Sequence, residues 1–70
     1  MAKFELKKSI EAVKLNRRTM RAMGRERHTV PYGSIIENLT EDRDRRKFFY
    51  LGDPYECYDW ELEDALREIK

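Results

Sequence analysis

Few side chains in this 70-residue sequence could perform chemistry near neutral pH. His28 is its only histidine and Cys57 its only cysteine, so these ligand types cannot build a tetrahedral metal site. A nucleophilic pair of the two would need the fold to bring them together. We expect instead that Cys57 packs in the core as a small apolar residue, while His28 lies at the surface. The three glycines are isolated, which excludes a glycine-rich phosphate loop. The sequence therefore predicts no catalytic residue, no metal or other cofactor, and no small-molecule substrate.

A basic tract from Lys14 to His28 carries the strongest functional signal. Its six cations are opposed by one acid, Glu26. The cations are Lys14, Arg17, Arg18, Arg21, Arg25 and Arg27. A guanidinium can bind two phosphate oxygens at once, and so dense a run of cations produces a local field that attracts polyanions. Binding of an RNA or DNA backbone through residues 14–28 is therefore one of our two functional hypotheses.

The charge is distributed unevenly along the chain. Residues 1–28 contain nine basic and three acidic side chains, whereas residues 29–70 contain six basic and eleven acidic ones. The formal net charge of +1 therefore combines a basic arm with an acidic body. The arginines of the basic tract could pair with this acidic body or stay solvated, and the sequence leaves that alternative to phosphate binding open.

Aromatic residues could form either core or contact surface. There are eight of them, and in so small a domain most must be buried, with Phe48, Phe49 and Trp60 the first choices. Tyrosines that stay exposed beside charged residues suit a protein interface; the candidates are Tyr32, Tyr55 and Tyr58. Our first functional hypothesis is a protein-interaction module that docks a partner, or a second copy of itself, through this aromatic face. Nucleic-acid binding is the alternative.

The middle of the chain has the composition of β structure. It is rich in β-branched and aromatic residues and is interrupted by polar and turn-forming segments. The expected strands are residues 30–39, 47–51 and 55–58, joined by a polar hairpin loop at 40–45 and a turn at 52–54. The unbroken apolar run in the second of these is typical of a strand buried on both faces. Together they predict a meander.

The N-terminal third shows helical spacing. Apolar residues four and three apart predict a helix over residues 5–15; they are Leu6, Ile10 and Val13. So narrow a stripe needs a surface to dock on, which gives a partner a second place to bind. Beyond it, either the helix continues to Met23 or residues 19–23 form a strand. We favour the strand because Arg17 interrupts the apolar stripe.

The closing segment shows the same spacing. It predicts a helix over residues 60–69, whose apolar face is Leu62, Ala65, Leu66 and Ile69. Asp59 is a candidate N-cap, and Arg67 and Lys70 would lie near the negative end of the helix dipole.

Several short segments follow one another in a characteristic order. They are Val-Pro-Tyr-Gly at 30–33, Ser-Ile-Ile at 34–36, Phe-Phe-Tyr-Leu-Gly at 48–52 and Tyr-Glu-Cys-Tyr at 55–58. Over about residues 19–66 this layout resembles the small SH3-like barrels of many bacterial proteins. The chain contains neither the Ala-Leu-Tyr-Asp-Tyr segment nor the Trp-Trp pair of eukaryotic SH3 domains. The resemblance therefore implies a fold and does not imply binding of proline-rich peptides.

The sequence as a whole predicts a mostly β fold of the α+β class. Residues 17–70 would form a small SH3-like barrel or meander with a short C-terminal helix, and residues 1–16 an N-terminal helical segment of the same folding unit. The lone cysteine, the lack of a signal-like apolar run and the lack of a stretch of ~20 apolar residues predict a cytoplasmic protein without membrane contact. We expect an accessory binding module and not an enzyme.

Overall fold

A computed structural model describes residues 3–69, which form seven strands and one 3-10 turn. The strands are β1 Lys3–Leu6, β2 Ile10–Leu15, β3 Ala22–Val30, β4 Ile35–Asp42, β5 Arg45–Tyr50, β6 Asp53–Tyr58 and β7 Leu66–Ile69. The 3-10 turn, Asp59–Leu62, connects β6 to β7. Residues 3–69 contain no α-helix, so the fold is all-β and the predicted α+β class is wrong.

All strands belong to one open antiparallel sheet in the order β3-β2-β6-β5-β4-β1-β7. β4, β5 and β6 form the meander that the sequence predicts. β2 and β3 form a long hairpin, which joins the meander where β2 pairs with β6. β1 lies between β4 and β7, so the first and last strands are neighbours. β3 and β7 are the two edges of the sheet.

The core lies on one face of this sheet. Phe48 of β5 is its largest fully buried side chain, with 1% of its surface exposed. Side chains alternate between the two faces of a strand, and in β2 Ile10 and Ala12 are accordingly buried while Glu11 is exposed. Further core residues come from the other strands, the 3-10 turn and the turn after it: Leu6, Val30, Ile36, Cys57, Leu62 and Ala65. In so short a chain the core thus draws on almost every element.

The predicted helix over residues 5–15 is wrong. The segment forms β1 and β2, joined by a turn at residues 7–9. Leu6 and Ile10 are both buried, but they enter the core from two different strands, and the turn between them produces the spacing of four that resembles a helix. No apolar helical stripe is therefore left to dock on a partner. The wider N-terminal helical segment was predicted over residues 1–16, and its residues 1 and 2 lie outside the range that the structure describes.

The predicted helix over residues 60–69 is also wrong. Helical structure is confined to the 3-10 turn Asp59–Leu62, whose N-cap is Tyr58 and has no side-chain cap hydrogen bond. Asp59 is therefore not the N-cap. Asp64 then adopts a φ of 56°, which belongs to the left-handed region and ends any right-handed helix.

Strand pairing explains why this segment does not continue as a helix. β7 forms a four-residue ladder with β1, whereas a helix of ten residues or fewer is marginal in water. Leu62 and Ala65 are buried as the helical pattern predicts, but Ile69 is 39% exposed because it lies on the edge strand. Lys70, expected near the end of the helix dipole, lies outside the residues that the structure describes.

The meander is confirmed with shifted boundaries. β4 begins at Ile35, because Pro31 to Ser34 form the turn after β3, and it continues through the polar residues 40–42. The hairpin loop therefore shortens to Arg43 and Asp44. The outer part of this hairpin extends beyond the core, where both of its faces meet water and polar residues can form a strand.

Two expectations about aromatic burial are wrong. β5 is not buried on both faces, since Phe48 is buried while Phe49 and Tyr50 are half-buried, and Leu51 after it is 83% exposed. Alternation turns Phe49 to the face opposite Phe48, where it pairs with the buried Pro54 but is itself only half-buried. Trp60, expected in the core, is 60% exposed.

We predict that Phe48→Ala unfolds most of the protein at 25 °C. Truncation of a buried phenylalanine costs about 3–5 kcal/mol, and a domain of this size has about 3–5 kcal/mol of total stability. Urea denaturation followed by circular dichroism measures the change. Leu51→Ala is the control, because that exposed leucine should alter the midpoint little. A Phe48→Ala midpoint equal to that of Leu51→Ala would contradict the described core.

Candidate nucleic-acid interface

The basic tract folds as the β2–β3 hairpin, and Asn16 organises its turn. The side-chain oxygen of Asn16 accepts hydrogen bonds from the backbone N–H groups of Arg18 at 2.8 Å and Thr19 at 3.1 Å. Its carbonyl accepts the N–H of Met20 at 2.7 Å, and its own N–H donates to the carbonyl of Arg21 at 2.8 Å. Asparagine stabilises turns in this way because its side chain replaces a backbone acceptor. The hairpin tip is therefore held by its own hydrogen bonds.

Neither sequence-based interpretation of this segment is fully right. The helix continuing to Met23 is wrong, because residues 17–19 form a turn. The strand expected over residues 19–23 begins only at Ala22. The arginines at the tip consequently project from a turn instead of sharing one face of a helix or strand.

The six predicted cations separate into paired and unpaired groups. Lys14 lies 3.6 Å from a carboxylate oxygen of Asp53, and Arg27 lies 3.8 Å from one of Glu11. The other four are exposed and take part in none of the ion pairs found within residues 3–69; they are Arg17, Arg18, Arg21 and Arg25. Pairing with the acidic body thus accounts for Lys14. It does not account for Arg27, because Glu11 belongs to the basic half itself, and it does not account for the four unpaired arginines.

Strand β3 contains a large bulge between the hairpin tip and the regular part of its ladder with β2. Val13 pairs with Arg27, yet Leu15 pairs with Ala22, so residues 23–26 of β3 stand opposite one residue of β2. Extra residues of this kind bend a strand away from its ladder and redirect side chains. Arg25 belongs to the bulge, which separates it from the regular ladder.

The two faces of the hairpin carry different cations. Arg27 stands opposite Val13, and His28 stands opposite the buried Ala12. By alternation Arg27 lies on the outer face, while His28 and Lys14 lie on the same side as Ala12. Lys14 therefore lies on the opposite face of the hairpin from Arg27.

The outer face forms one wall of a cleft of about 220 Å³. Arg25 and Arg27 line it from β3, and Arg45 and Tyr58 line it from β5 and β6. The guanidinium carbons of Arg27 and Arg45 lie 5.8 and 5.4 Å from the centre of the Tyr58 ring, within the range of cation–π contacts. A hydrogen bond of 3.1 Å to the Glu56 carboxylate raises the pKa of Arg45 further. The cleft thus combines cations with an aromatic ring.

Trp60 extends this cluster onto the 3-10 turn. Its ring lies 6.0 Å from the ring of Tyr58 at an interplanar angle of 11°. The sequence does not indicate Arg45 as a site residue, and it favours Trp60 as a core residue over an exposed ring that could stack on bases. Arg45 could be found from register, since pairing of β5 with β6 places it opposite Tyr58. Nothing in the sequence distinguishes an exposed tryptophan from a core one.

The three predicted protein-binding tyrosines do not form one surface. Tyr32 is 74% exposed in the turn after β3. Tyr55 is half-buried and packs against Phe48, with ring centres 6.0 Å apart, and against the edge of His28 at 6.3 Å. Tyr58 lies on the opposite face of β6, because it is three residues further along the strand.

Cys57 and His28 occupy separate environments. Cys57 is a free thiol, 5% exposed, as the sequence predicts. Burial, and to a lesser extent the Glu61 carboxylate, raises the pKa of Cys57 to about 12. The thiol is therefore protonated at neutral pH and lacks the thiolate that nucleophilic chemistry requires. His28 is exposed on β3, as expected.

Comparison of the chain with models of known protein families, with curated proteins and with solved structures finds no match. Over residues 3–69, no three histidine, cysteine, aspartate or glutamate side chains come together as metal ligands would. The same part of the chain includes no helix with the length and apolar character needed to cross a membrane.

We predict that ionisation of Cys57 weakens the fold at alkaline pH. The unfolded thiol ionises near pH 9.0 and the folded one near 12. Between these values the unfolded state has released a proton that the folded state retains, so the free energy of unfolding falls as pH rises. The expected slope is on the order of 1 kcal/mol per pH unit.

Urea denaturation at pH 8 to 11 measures this slope, and Cys57→Ala is the comparison. Near pH 8 the variant should be less stable because a buried side chain is truncated, but its free energy of unfolding should fall less steeply because the titrating thiol is gone. Parallel pH profiles for the two proteins would show that the thiol does not titrate differently on folding.

Proposed function

We propose that this domain is a non-catalytic module that binds the phosphate backbone of a nucleic acid on the β2–β3 hairpin. One observation carries the proposal: Arg17, Arg18, Arg21 and Arg25 are exposed and belong to none of the ion pairs within the described range. Within residues 3–69, no carboxylate of the acidic half forms an ion pair with them. Phosphate oxygens are the acceptors that guanidinium groups bind best in pairs.

The shape of the hairpin supports a contact with an extended polyanion. The tip is fixed by the hydrogen bonds of Asn16, so its arginines project from a defined turn. Ala22 and Arg27 pair with Leu15 and Val13, which are only two residues apart on β2, so the bulge brings the arginines of residues 21–27 close together along the sheet. Arg25 continues the positive surface from the tip into the cleft, where Arg27 is paired with Glu11. A backbone lying along this path would meet one cation after another.

A protein partner is the second candidate, and strand β3 supports it. This edge strand has nine residues, all exposed except Val30, and one of its sides has no neighbouring strand in the sheet. Such an edge can accept a strand from a partner or from a second copy. The bulge at residues 23–26 and the charges of Arg25 and Arg27 are features that oppose strand addition, and for this reason we prefer the nucleic acid. Light scattering tests whether two copies of the chain associate in this way, and a protein that stays monomeric at high concentration would exclude it.

The order of the strands and the free cysteine support two further proposals. We infer kinship with SH3-like barrels because a meander followed by a 3-10 turn and a last strand matches the order of segments over residues 19–66. We infer a cytoplasmic location because Cys57 is a free, buried thiol, which suits a reducing compartment.

We predict that Arg17→Ala, Arg18→Ala and Arg21→Ala together lower nucleic-acid affinity at least tenfold while the fold is retained. The wild-type protein should bind RNA or DNA with a dissociation constant below ~10 μM at low salt, and the affinity should fall steeply as salt rises. The triple variant should also reduce the salt dependence, because fewer counterions are released. Fluorescence anisotropy with labelled oligonucleotides measures both quantities.

A matched control removes three charges elsewhere. Lys3→Ala, Lys7→Ala and Lys8→Ala change the net charge equally, but these exposed lysines lie away from the hairpin tip, in β1 and the turn between β1 and β2. Their loss should change affinity less than about threefold, as expected for charges outside the contact. Equal losses in the two variants, or no binding by the wild type at low salt, would overturn the proposed function.

A further inference from the structure

Trp60 is a large apolar side chain that the core does not use. It is 60% exposed, although the neighbouring Leu62 on the same 3-10 turn is buried. The core is completed by smaller residues from this region, Leu62 and Ala65. An exposed indole of this size is informative, since exposure of a large apolar ring has no advantage for folding.

The ring of Trp60 is nonetheless held in a defined orientation. It stacks nearly parallel on Tyr58, with 6.0 Å between ring centres and an angle of 11°. Tyr58 is in turn contacted by the guanidinium groups of Arg27 and Arg45, and each arginine is anchored by a carboxylate, of Glu11 and Glu56 respectively. The result is a prearranged stack of cations and rings with the indole at its exposed end.

This stack is continuous with the arginines of the hairpin. Arg25, which has no ion pair within residues 3–69, lines the same cleft as Tyr58. A nucleic acid held on the hairpin would therefore have an aromatic face available at the far end of its path. Aromatic rings stack on nucleobases of any identity, because every base has a π-face.

We propose that Trp60 stacks on an unpaired base, so that the ligand of this domain is single-stranded nucleic acid. The inference rests on the proposed function, because the arginines of the hairpin supply the phosphate contacts. In a duplex the base faces are covered by their neighbours, and only a single strand can present one to the indole. Stacking therefore selects the single strand, while the cations alone would accept both forms.

The acidic residues around Trp60 limit where the strand can lie. Asp59 is paired with Arg46 at 3.1 Å, and a Glu61 carboxylate oxygen accepts the backbone N–H of Glu11 at 3.1 Å. Glu63 and Asp64 are exposed just beyond the turn and repel phosphates. The bound strand consequently ends near Trp60 and extends from there toward the hairpin tip.

The chain's only tryptophan is a built-in probe of this contact. The experiment titrates the wild-type protein with a labelled single-stranded 12-mer of DNA, the same sequence as RNA, the corresponding duplex, and an abasic single strand. Single strands should quench Trp60 fluorescence and bind at least fivefold more tightly than the duplex; the abasic strand should bind without quenching. The RNA and DNA arms show which sugar is preferred.

Trp60→Ala should weaken single-strand binding about tenfold, within the range of base–aromatic stacking, and change duplex binding less than twofold. Tyr32→Ala is the control, because that tyrosine is more exposed than Trp60 but lies in the turn after β3. Circular dichroism verifies folding of both variants, and the quenching of the wild-type protein gives a result even if Trp60→Ala unfolds.

The outcomes separate the two proposals. Single-strand binding that leaves Trp60 fluorescence unchanged, or a duplex bound as tightly as the single strand, would overturn the stacking inference and leave the arginine contact standing. Absence of binding to every oligonucleotide would overturn the proposed function itself.

Discussion

Burial of Phe48 on one face of a single sheet is the constraint on which the rest of the structure depends. A chain of 70 residues can enclose only one small core, and here strands from both ends of the sequence must contribute to it. The part of the sheet's inner face that covers this core is therefore used for folding. Most side chains that are free to contact other molecules lie on the outer face, at the edges or in the turns. The arginines of the hairpin and Trp60 lie in these places, so the candidate site consists of side chains that the core does not need.

The meander could be predicted from the sequence because its signals are local. β-branched and aromatic runs separated by turn residues indicate strands whatever their partners are. The two ends could not be predicted in the same way, because their structure is decided by pairing between β1 and β7, at opposite ends of the chain. Leu6 and Ile10 are four residues apart across a turn, which gives the same pattern as a helical face. At Asp64 the backbone enters the left-handed region, and composition gives no sign of that.

The candidate site, like the fold, could be predicted from the sequence only in part. Composition reveals the cations of residues 14–28, since charge density needs no knowledge of the fold. It does not reveal which of them are neutralised, because Lys14 finds Asp53 only through the pairing of β2 with β6. The contact of Arg45 with Tyr58 likewise depends on strand register. Trp60 was expected in the core on grounds of size, and the smaller residues Leu62 and Ala65 fill that space instead.

Charge segregation explains how a nearly neutral chain can present a basic surface. Three cations of the acidic half lie close to carboxylates in the fold: Arg45 with Glu56, Arg46 with Asp59 and Arg67 with Glu5. Of the five arginines within residues 3–69 that belong to no ion pair, four lie in the β2–β3 hairpin, and the fifth is Arg43 in the turn between β4 and β5. At physiological salt the field of exposed charges decays within about 8 Å, so an approaching polyanion responds to the nearest cations and not to the net charge of +1. The proposed association with nucleic acid would therefore depend on the placement of a few arginines, and a change of charge elsewhere on the surface should have little effect on it.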